Sequence, residues 1–254
     1  MTGNGNNIYF ASDLHLGMWS KDGAQKRERI FLDWLRSVEN DMLELWLLGD
    51  VFDYWFEYRK VVPRGFTRFL GKLSELSDRG VKIHLFTGNH DIWIFDYLPN
   101  EIGAELHDKP LIRKFGDKTF LLAHGDGLTK SDRGYLFLKS IFRSKFMQWC
   151  FARIHPNGSM AFAHWWSKKS RYSKGLEATF MGDDNEEQVV FAKTHSVKNP
   201  EIDRYIFGHR HIPYDIAFGD DKRVICLGDW ITNFTYAKFD GKDISLEKFT
   251  PKQS

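Results

Sequence analysis

Five short motifs set acids, amides and imidazoles directly after apolar runs. Asp13 and His15 follow "IYFAS", Asp50 and Asp53 lie in "GDVFD" after "LELWLL", and Asn89, His90 and Asp91 lie in "TGNHD" after "VKIHLF". "FLLA" leads into His124 and Asp126, and "RYIF" into His209 and His211. Alternate residues of an extended chain share one face, so Asp13 and His15 can chelate one ion. Asp13, His15, Asp50, Asn89, His124, His209 and His211 outnumber the donors of one tetrahedral site, so two metal ions are expected. Mixed carboxylate, amide and imidazole ligation suits Mn, Fe or Zn better than the all-oxygen shells of Ca or Mg. A carboxylate shared between them, assigned here to Asp50, holds such ions about 3.5–4 Å apart, the spacing used for in-line attack on phosphorus. Taken alone, Asp-x-His, "GNHD" or "GHRH" is more often a turn or a satisfied polar pair. Five in succession, each after an apolar strand, form the pattern of a metal centre. Asp53 and Asp126 stand at a spacing suited to orienting ligand histidines. Histidines 84, 107, 155, 164 and 195 fit no such spacing and read as structural or surface residues.

The elements behind these motifs alternate. "IYFAS", "LELWLL" and "VKIHLF" are separated by stretches with Ile30, Phe31, Trp34, Leu35 and Val38, then Phe66, Phe69, Leu70, Leu73 and Leu76, at helical spacing. This predicts βαβαβ. After residue 105 the pattern turns to closely spaced strands, "PLIRKF", "TFLLAHG", "RYIFGH", "YDIAF", "RVICLG", "TYAKFD" and "ISLEKF". Strands this apolar need cover on both faces, so two stacked mixed sheets flanked by helices are expected. Ligands of open α/β sheets collect beyond the carboxyl ends of the strands, where the motifs lie. Residues 133–195 carry few strand signals and are expected as a helical insertion over a core of 1–132 and 196–254, not an independent domain.

The chain has 254 residues, 42% hydrophobic, with a net charge of +2, the composition of a soluble globular protein. "MTGNGNN" lacks a signal-peptide pattern and no apolar run approaches the roughly 20 residues of a membrane span, so a cytoplasmic location is expected. Cys150 and Cys226 lack CxxC partners and are expected as free thiols. The charge is unevenly spread: from Arg133 to Leu176 there are nine Lys or Arg residues and no acid, and the remainder of the chain is acidic.

Together, Asp13-x-His15, Gly49-Asp50-x-x-Asp53, Gly88-Asn89-His90-Asp91, His124-Gly125-Asp126 and Gly208-His209-x-His211 resemble the signature of the calcineurin-like metallophosphoesterases. The resemblance covers nearly all of the chain outside 133–195. It implies a four-layer α/β/β/α sandwich with Asp13, His15, Asp50 and His211 around one metal and Asp50, Asn89, His124 and His209 around the other. It also implies a bridging hydroxide nucleophile, with His90, steadied by Asp91, acting on the leaving oxygen. Two cations acidify water at neutral pH and stabilise charge on phosphoryl oxygens, so that chemistry is physically consistent.

The basic segment also holds ten aromatics, among them Phe142, Phe146, Trp149, Trp165 and Trp166. Three readings fit it: a helical lid on the core, a cationic amphipathic surface for anionic lipid, and a single-strand nucleic-acid surface. Clustering of the aromatics with Leu, Ile and Met favours lipid and disfavours nucleic acid. "HGDGLTKSDRGYLFLK" and "GDVFDYW" further resemble the family's subgroup that hydrolyses the pyrophosphate of UDP-2,3-diacylglucosamine to UMP and a diacylglucosamine 1-phosphate. That resemblance implies a lipid-linked nucleotide substrate, headgroup contacts from Asp132 and Tyr135, and phosphate or headgroup contacts from Ser170, Ser173 and Lys174. It also implies Mn as the leading metal and peripheral attachment to the inner membrane. The subgroup's best-known members carry Arg at the position of His90, whereas "GNHD" is the general family form. Action on another lipid phosphate or nucleotide phosphodiester, and a non-catalytic scaffold of the same fold, are the alternatives; a complete ligand set counts against the scaffold.

Overall fold

A computed structural model describes residues 5–18, 24–128, 133–162 and 179–251. The first sheet is built from β1 (Asn7–Ala11), β2 (Met42–Leu48), β3 (Lys82–Phe86), β4 (Glu105–His107), β10 (Thr235–Phe239) and β11 (Ile244–Lys248), in the order β11-β10-β1-β2-β3-β4. The second takes β5 (Leu111–Phe115), β6 (Lys118–Leu122), β7 (Arg204–Phe207), β8 (Pro213–Phe218) and β9 (Lys222–Leu227), in the order β5-β6-β7-β9-β8. Helices α1 (Ala24–Val38), α2 (Thr67–Asp78) and α3 (Tyr97–Ile102) accompany the first sheet, and α7 (Glu187–Lys198) the second.

Strand alternation sorts the side chains into three apolar layers. Tyr9, Ala11, Leu45, Leu47, Ile83 and Leu85 point toward α1 and α2 and meet Phe31, Trp34, Phe69 and Leu73. Their neighbours Ile8, Phe10, Trp46, Leu48 and Phe86 point the other way, onto Phe120, Leu122, Ile206, Ile225 and Leu227 of the second sheet. The far face of that sheet, with Leu121, Tyr205, Phe207 and Val224, packs on Val189 and Ala192 of α7. Three interfaces between four layers give the expected α/β/β/α sandwich. Removing a fully buried aromatic such as Trp34 or Trp46 would cost about 3–5 kcal/mol.

β1, β2 and β3 run parallel in one sheet, and β6, β7 and β9 run parallel in the other. The loops after β1 and β7 meet, with the His209 amide donating to Asp13 Oδ2 at 2.8 Å, so the carboxyl ends of these six strands open at the same end of the sandwich. At the opposite end Arg204, almost wholly buried in β7, donates from Nε to Asp243 Oδ1 at 3.1 Å, and so ties the second sheet to the β10–β11 turn.

The stretch expected as one insertion divides in two. α4 (Arg133–Arg143), α5 (Lys145–Phe151) and α6, described over residues 156–162, are helical. Residues 187–195, grouped with them from the sequence, instead begin α7 and pack in the third apolar layer. α4 and α5 dock on the loops after β2 and β3: Trp93 Nε1 donates to Phe142 O at 2.9 Å, and Phe151 packs tilted against Trp93 and Phe56 with centroids 4.6 and 4.8 Å away.

Candidate metal centre

The loops at the carboxyl ends are bent into conformations that L-residues seldom adopt. Asp13, His15, Asp50, His209 and His211 all have positive φ, between 44° and 69°. Such backbone is sparsely populated, and its concentration at one place marks a site where geometry outweighs local strain. Glycines make the approach possible. A Cβ on Gly208 would lie 2.6 Å from Asp13 Oδ2, and one on Gly88 would collide with the Asp50 carboxylate.

Three imidazoles are oriented by what holds their outer nitrogens. His15 Nδ1 lies 3.3 Å from Asp53 Oδ1, His211 Nδ1 3.3 Å from Asp229 Oδ2, and His124 Nδ1 2.8 Å from the carbonyl of Leu48. Each partner is an acceptor, so it fixes the proton on Nδ1 and leaves the Nε2 lone pair facing inward. The inward atoms then crowd together. His15 Nε2 and His211 Nε2 stand 3.2 Å apart, and Asp13 Oδ1 is 3.4 Å from His211 Nε2. On the other side His124 Nε2 lies 3.3 Å from Asn89 Oδ1 and 3.4 Å from Asp50 Oδ2.

Lone pairs converging in a buried pocket repel unless a cation lies among them. Asp13 is fully buried, and its Oδ1 has no hydrogen-bond partner, a costly arrangement for a carboxylate. Donor atoms about 2.0–2.1 Å from a tetrahedral ion lie about 3.3 Å from one another, which matches these separations. Two donor groups emerge: Asp13, His15 and His211, and Asp50, His124 and His209, each with its ligating atoms within 4.8 Å of one another. Asp50 stands between them, with Oδ2 3.7 Å from His15 Nε2 and 3.4 Å from His124 Nε2 while Oδ1 accepts from the amide of His90 at 2.8 Å. The residues present could hold two divalent cations.

The electrostatics have the same cause. Burial lowers the pKa of His15 to about 4 and that of His209 to about 3, keeping both neutral and able to ligate. Burial would also lower that of His124, but the charge of Asp50 raises it to about 10. Burial raises that of Asp13, and the opposing imidazole charges of His211 and His124 only partly offset it.

Some expected residues sit differently. Asp91 does not steady His90: its Oδ1 accepts from the amide of Gly88 at 2.7 Å and its Oδ2 from those of Val51 and Phe52 at 2.8 and 3.2 Å. Its task is to fasten two loops to each other. His90 Nδ1 instead faces the carbonyl of Asp53 at 3.1 Å, and its ring meets that of His15 edge-on with centroids 4.7 Å apart. Asp126 accepts from Lys139 Nζ of α4 at 2.5 Å. Against burial, His124 and Lys139 hold its pKa down at about 2. Tyr135 lies in α4, but its side chain, like Asp132, Ser170, Ser173 and Lys174, lies outside the described residues.

Asp229 was missed by the sequence reading. It follows β9, and its Oδ1 accepts from the amides of Ile231, Thr232 and Asn233 while Oδ2 faces His211. The signal was present: "LGD" at 227–229 repeats the "LGD" of 48–50 after an apolar strand.

The family model described as calcineurin-like phosphoesterase matches residues 7–213. A UDP-2,3-diacylglucosamine hydrolase of Porphyromonas gingivalis is 44% identical over 252 residues, covering 94% of this chain and 96% of that protein. Proteins of the same name from Pseudomonas entomophila and Pseudomonas putida are 30% and 28% identical, each covering 95% of this chain and 98% of the relative. With that match spanning most of its length, the chain belongs to the calcineurin-like phosphoesterases.

Proposed function

We propose that the protein is a dinuclear metal-dependent hydrolase that cleaves the pyrophosphate of UDP-2,3-diacylglucosamine, giving UMP and 2,3-diacylglucosamine 1-phosphate in lipid A synthesis. The observation that carries the reading is the position of Asp50 Oδ2 between His15 and His124, one carboxylate oxygen facing both donor groups. In this reading Asp13, His15, Asp50 and His211 hold one cation, and Asp50, Asn89, His124 and His209 the other. The cations are Mn, with Fe and Zn compatible with the same donors. When bound they supply Lewis-acid charge for the phosphoryl oxygens and lower the pKa of water.

The chain's own groups do the rest. Asp53, Asp229 and the Leu48 carbonyl keep three imidazoles in the ligating tautomer. His90, partly exposed and directed by the Asp53 carbonyl, is the group placed to hydrogen-bond a phosphoryl or leaving oxygen. Asp132 and Tyr135, with Ser170, Ser173 and Lys174, contact the sugar and phosphates. The relatives named as UDP-2,3-diacylglucosamine hydrolases support the substrate assignment.

Helices α4 to α6 form a cover that meets lipid. Phe137 and Phe146 are each 68% exposed and Trp149 56%, with Met147, Ile154 and Phe162 also exposed, beside Lys145 and Arg153. Aromatics and cations so arranged settle at an anionic interface. In this reading attachment is peripheral, at the cytoplasmic face of the inner membrane; no helix among the described residues is long and apolar enough to cross a membrane.

The test is direct. The Mn-loaded protein is given UDP-2,3-diacylglucosamine and a small chromogenic phosphodiester, and UMP and nitrophenol release are followed. UMP release many times faster than diester cleavage supports the assignment. Cleavage of the diester with the lipid nucleotide untouched would move the substrate to another phosphoester.

A further inference from the structure

One more group of nitrogen and carboxylate donors converges, away from the phosphoesterase centre. β3 and β4 pair in parallel with His84 opposite Glu105 and Phe86 opposite His107. Alternation puts Glu105 and His107 on one face of this edge strand, and His84 beside them. His84 Nδ1 lies 3.2 Å from His107 Nε2 and 3.3 Å from Glu105 Oε2, and the other oxygen of Glu105 is 3.8 Å from His107 Nε2. All three residues offer atoms within 4.8 Å of one another.

The rings are held in place. Trp46 stacks on His84 with centroids 3.7 Å apart and planes 6° from parallel, and lies 15° from the plane of His107. Behind His84, Glu44 Oε2 stands 3.6 Å from Nε2 and accepts the Trp46 indole N–H at 2.9 Å. A carboxylate behind an imidazole draws the proton to the outer nitrogen and leaves the inner one a lone pair, the arrangement that supports histidine ligands. His84 Nε2 is buried beside Glu44 without a hydrogen bond, so Nδ1 is the ring atom that meets His107 and Glu105. Glu105 is mostly exposed, which leaves the fourth corner to water, and a cavity of about 270 Å³ lined in part by His84 and Glu105 opens alongside as an entry path.

We propose that His84, Glu105 and His107 form a second, separate metal site, a zinc clip that joins β3 to the three-residue edge strand β4. Three protein donors of this chemistry with an open fourth position are a zinc arrangement, and Ca or Mg would need more oxygen ligands. His84 lies two residues before the carboxyl end of β3 and Asn89 three residues beyond it, and the two groups share no donor, so the clip and the dinuclear centre fill independently. Its role is to hold an edge strand that has few ladder bonds of its own.

The holoenzyme is first loaded with Mn, then exposed to three equivalents of Zn, freed of unbound metal, and its metals counted against His107→Ala and Glu105→Gln variants. The parent is expected to keep one more Zn per chain than either variant, and its melting temperature to rise with Zn while theirs do not. Turnover of the chromogenic diester stays within about twofold in both, because neither residue belongs to the centre. Glu105→Gln alters only an exposed carboxylate and so keeps the fold if His107→Ala disturbs β4. Retention of the parent's zinc content by either variant would overturn the three-donor site.

Discussion

His15 and His211, from loops of different sheets, meet Nε2 to Nε2 at 3.2 Å, each with a carboxylate fixed on its outer nitrogen. Neither ring can turn away without breaking that second contact. The pair is preset for something positive between its two lone pairs, and the most informative perturbation is one that leaves both histidines in place.

Asp229→Asn is that perturbation. An amide can present either an acceptor or a donor to His211 Nδ1, so the imidazole loses its enforced tautomer while the loop amides retain an oxygen partner. Metal affinity is expected to fall about 10–100-fold with little change in fold. Metal competition against a fluorescent chelator checks it, with circular dichroism as the control. An unchanged affinity would leave Asp229 as a loop cap only.

Asp50→Ala removes the one carboxylate that faces both donor groups. Turnover is expected to fall by about 10³-fold or more, and bound metal by at least one equivalent, since no neighbour can span the two groups. Metal counting with single-turnover assays tests this. Full activity would remove the shared role.

Metal uptake should release protons. Before metal binds, burial opposes protonation of His124, but the charge and hydrogen bond of Asp50 with the charges of Asp13 and Asp126 together raise its pKa to about 10, so this imidazole is protonated at pH 7. A cation that takes Nε2 must displace that proton. The sign follows: affinity rises with pH, by about one log unit per pH unit for each proton released, until pH passes the raised pKa. Calorimetry in buffers of different ionisation enthalpy measures the count, and a value near zero at pH 7 would contradict the electrostatics described for His124.

Replacing Phe137, Phe146 and Trp149 by Ser strips the exposed apolar side of α4 and α5 and leaves Phe142 and Phe151, whose segments fasten to Trp93 and Phe56. Binding to anionic vesicles and turnover of the acylated nucleotide are expected to drop at least tenfold, by loss of about 1.5–3 kcal/mol for each buried side chain. The small diester should be cleaved as before. Equal losses on both substrates would show that these side chains support the fold.

What could be read from the chain and what could not divides along a physical line. β1, β2, β3, β6, β7 and β9 are legible because each buries both faces and so carries a mostly apolar run. β4, "ELH", has three residues, two of them polar, and gives no such run. α7 offers a weak signal because only Val189 and Ala192 among its apolar residues are buried, so it blends into the polar stretch before it. The candidate ligands show in the sequence as motifs, but their orientation does not. The destination of both Asp91 oxygens depends on where loops 50–52 and 88 meet, and the pairing of Asp229 with His211 depends on β9 lying beside β7.

The bond between Arg204 and Asp243 holds the layers together at the end remote from the centre, where Asp13, His124, His209 and their partners do the same work. Cargo at the centre therefore doubles as a bolt between the halves of the sandwich. Stripped of it, the molecule should splay from that end first, with amides after β1 and β7 exchanging with deuterium well before those beside Arg204.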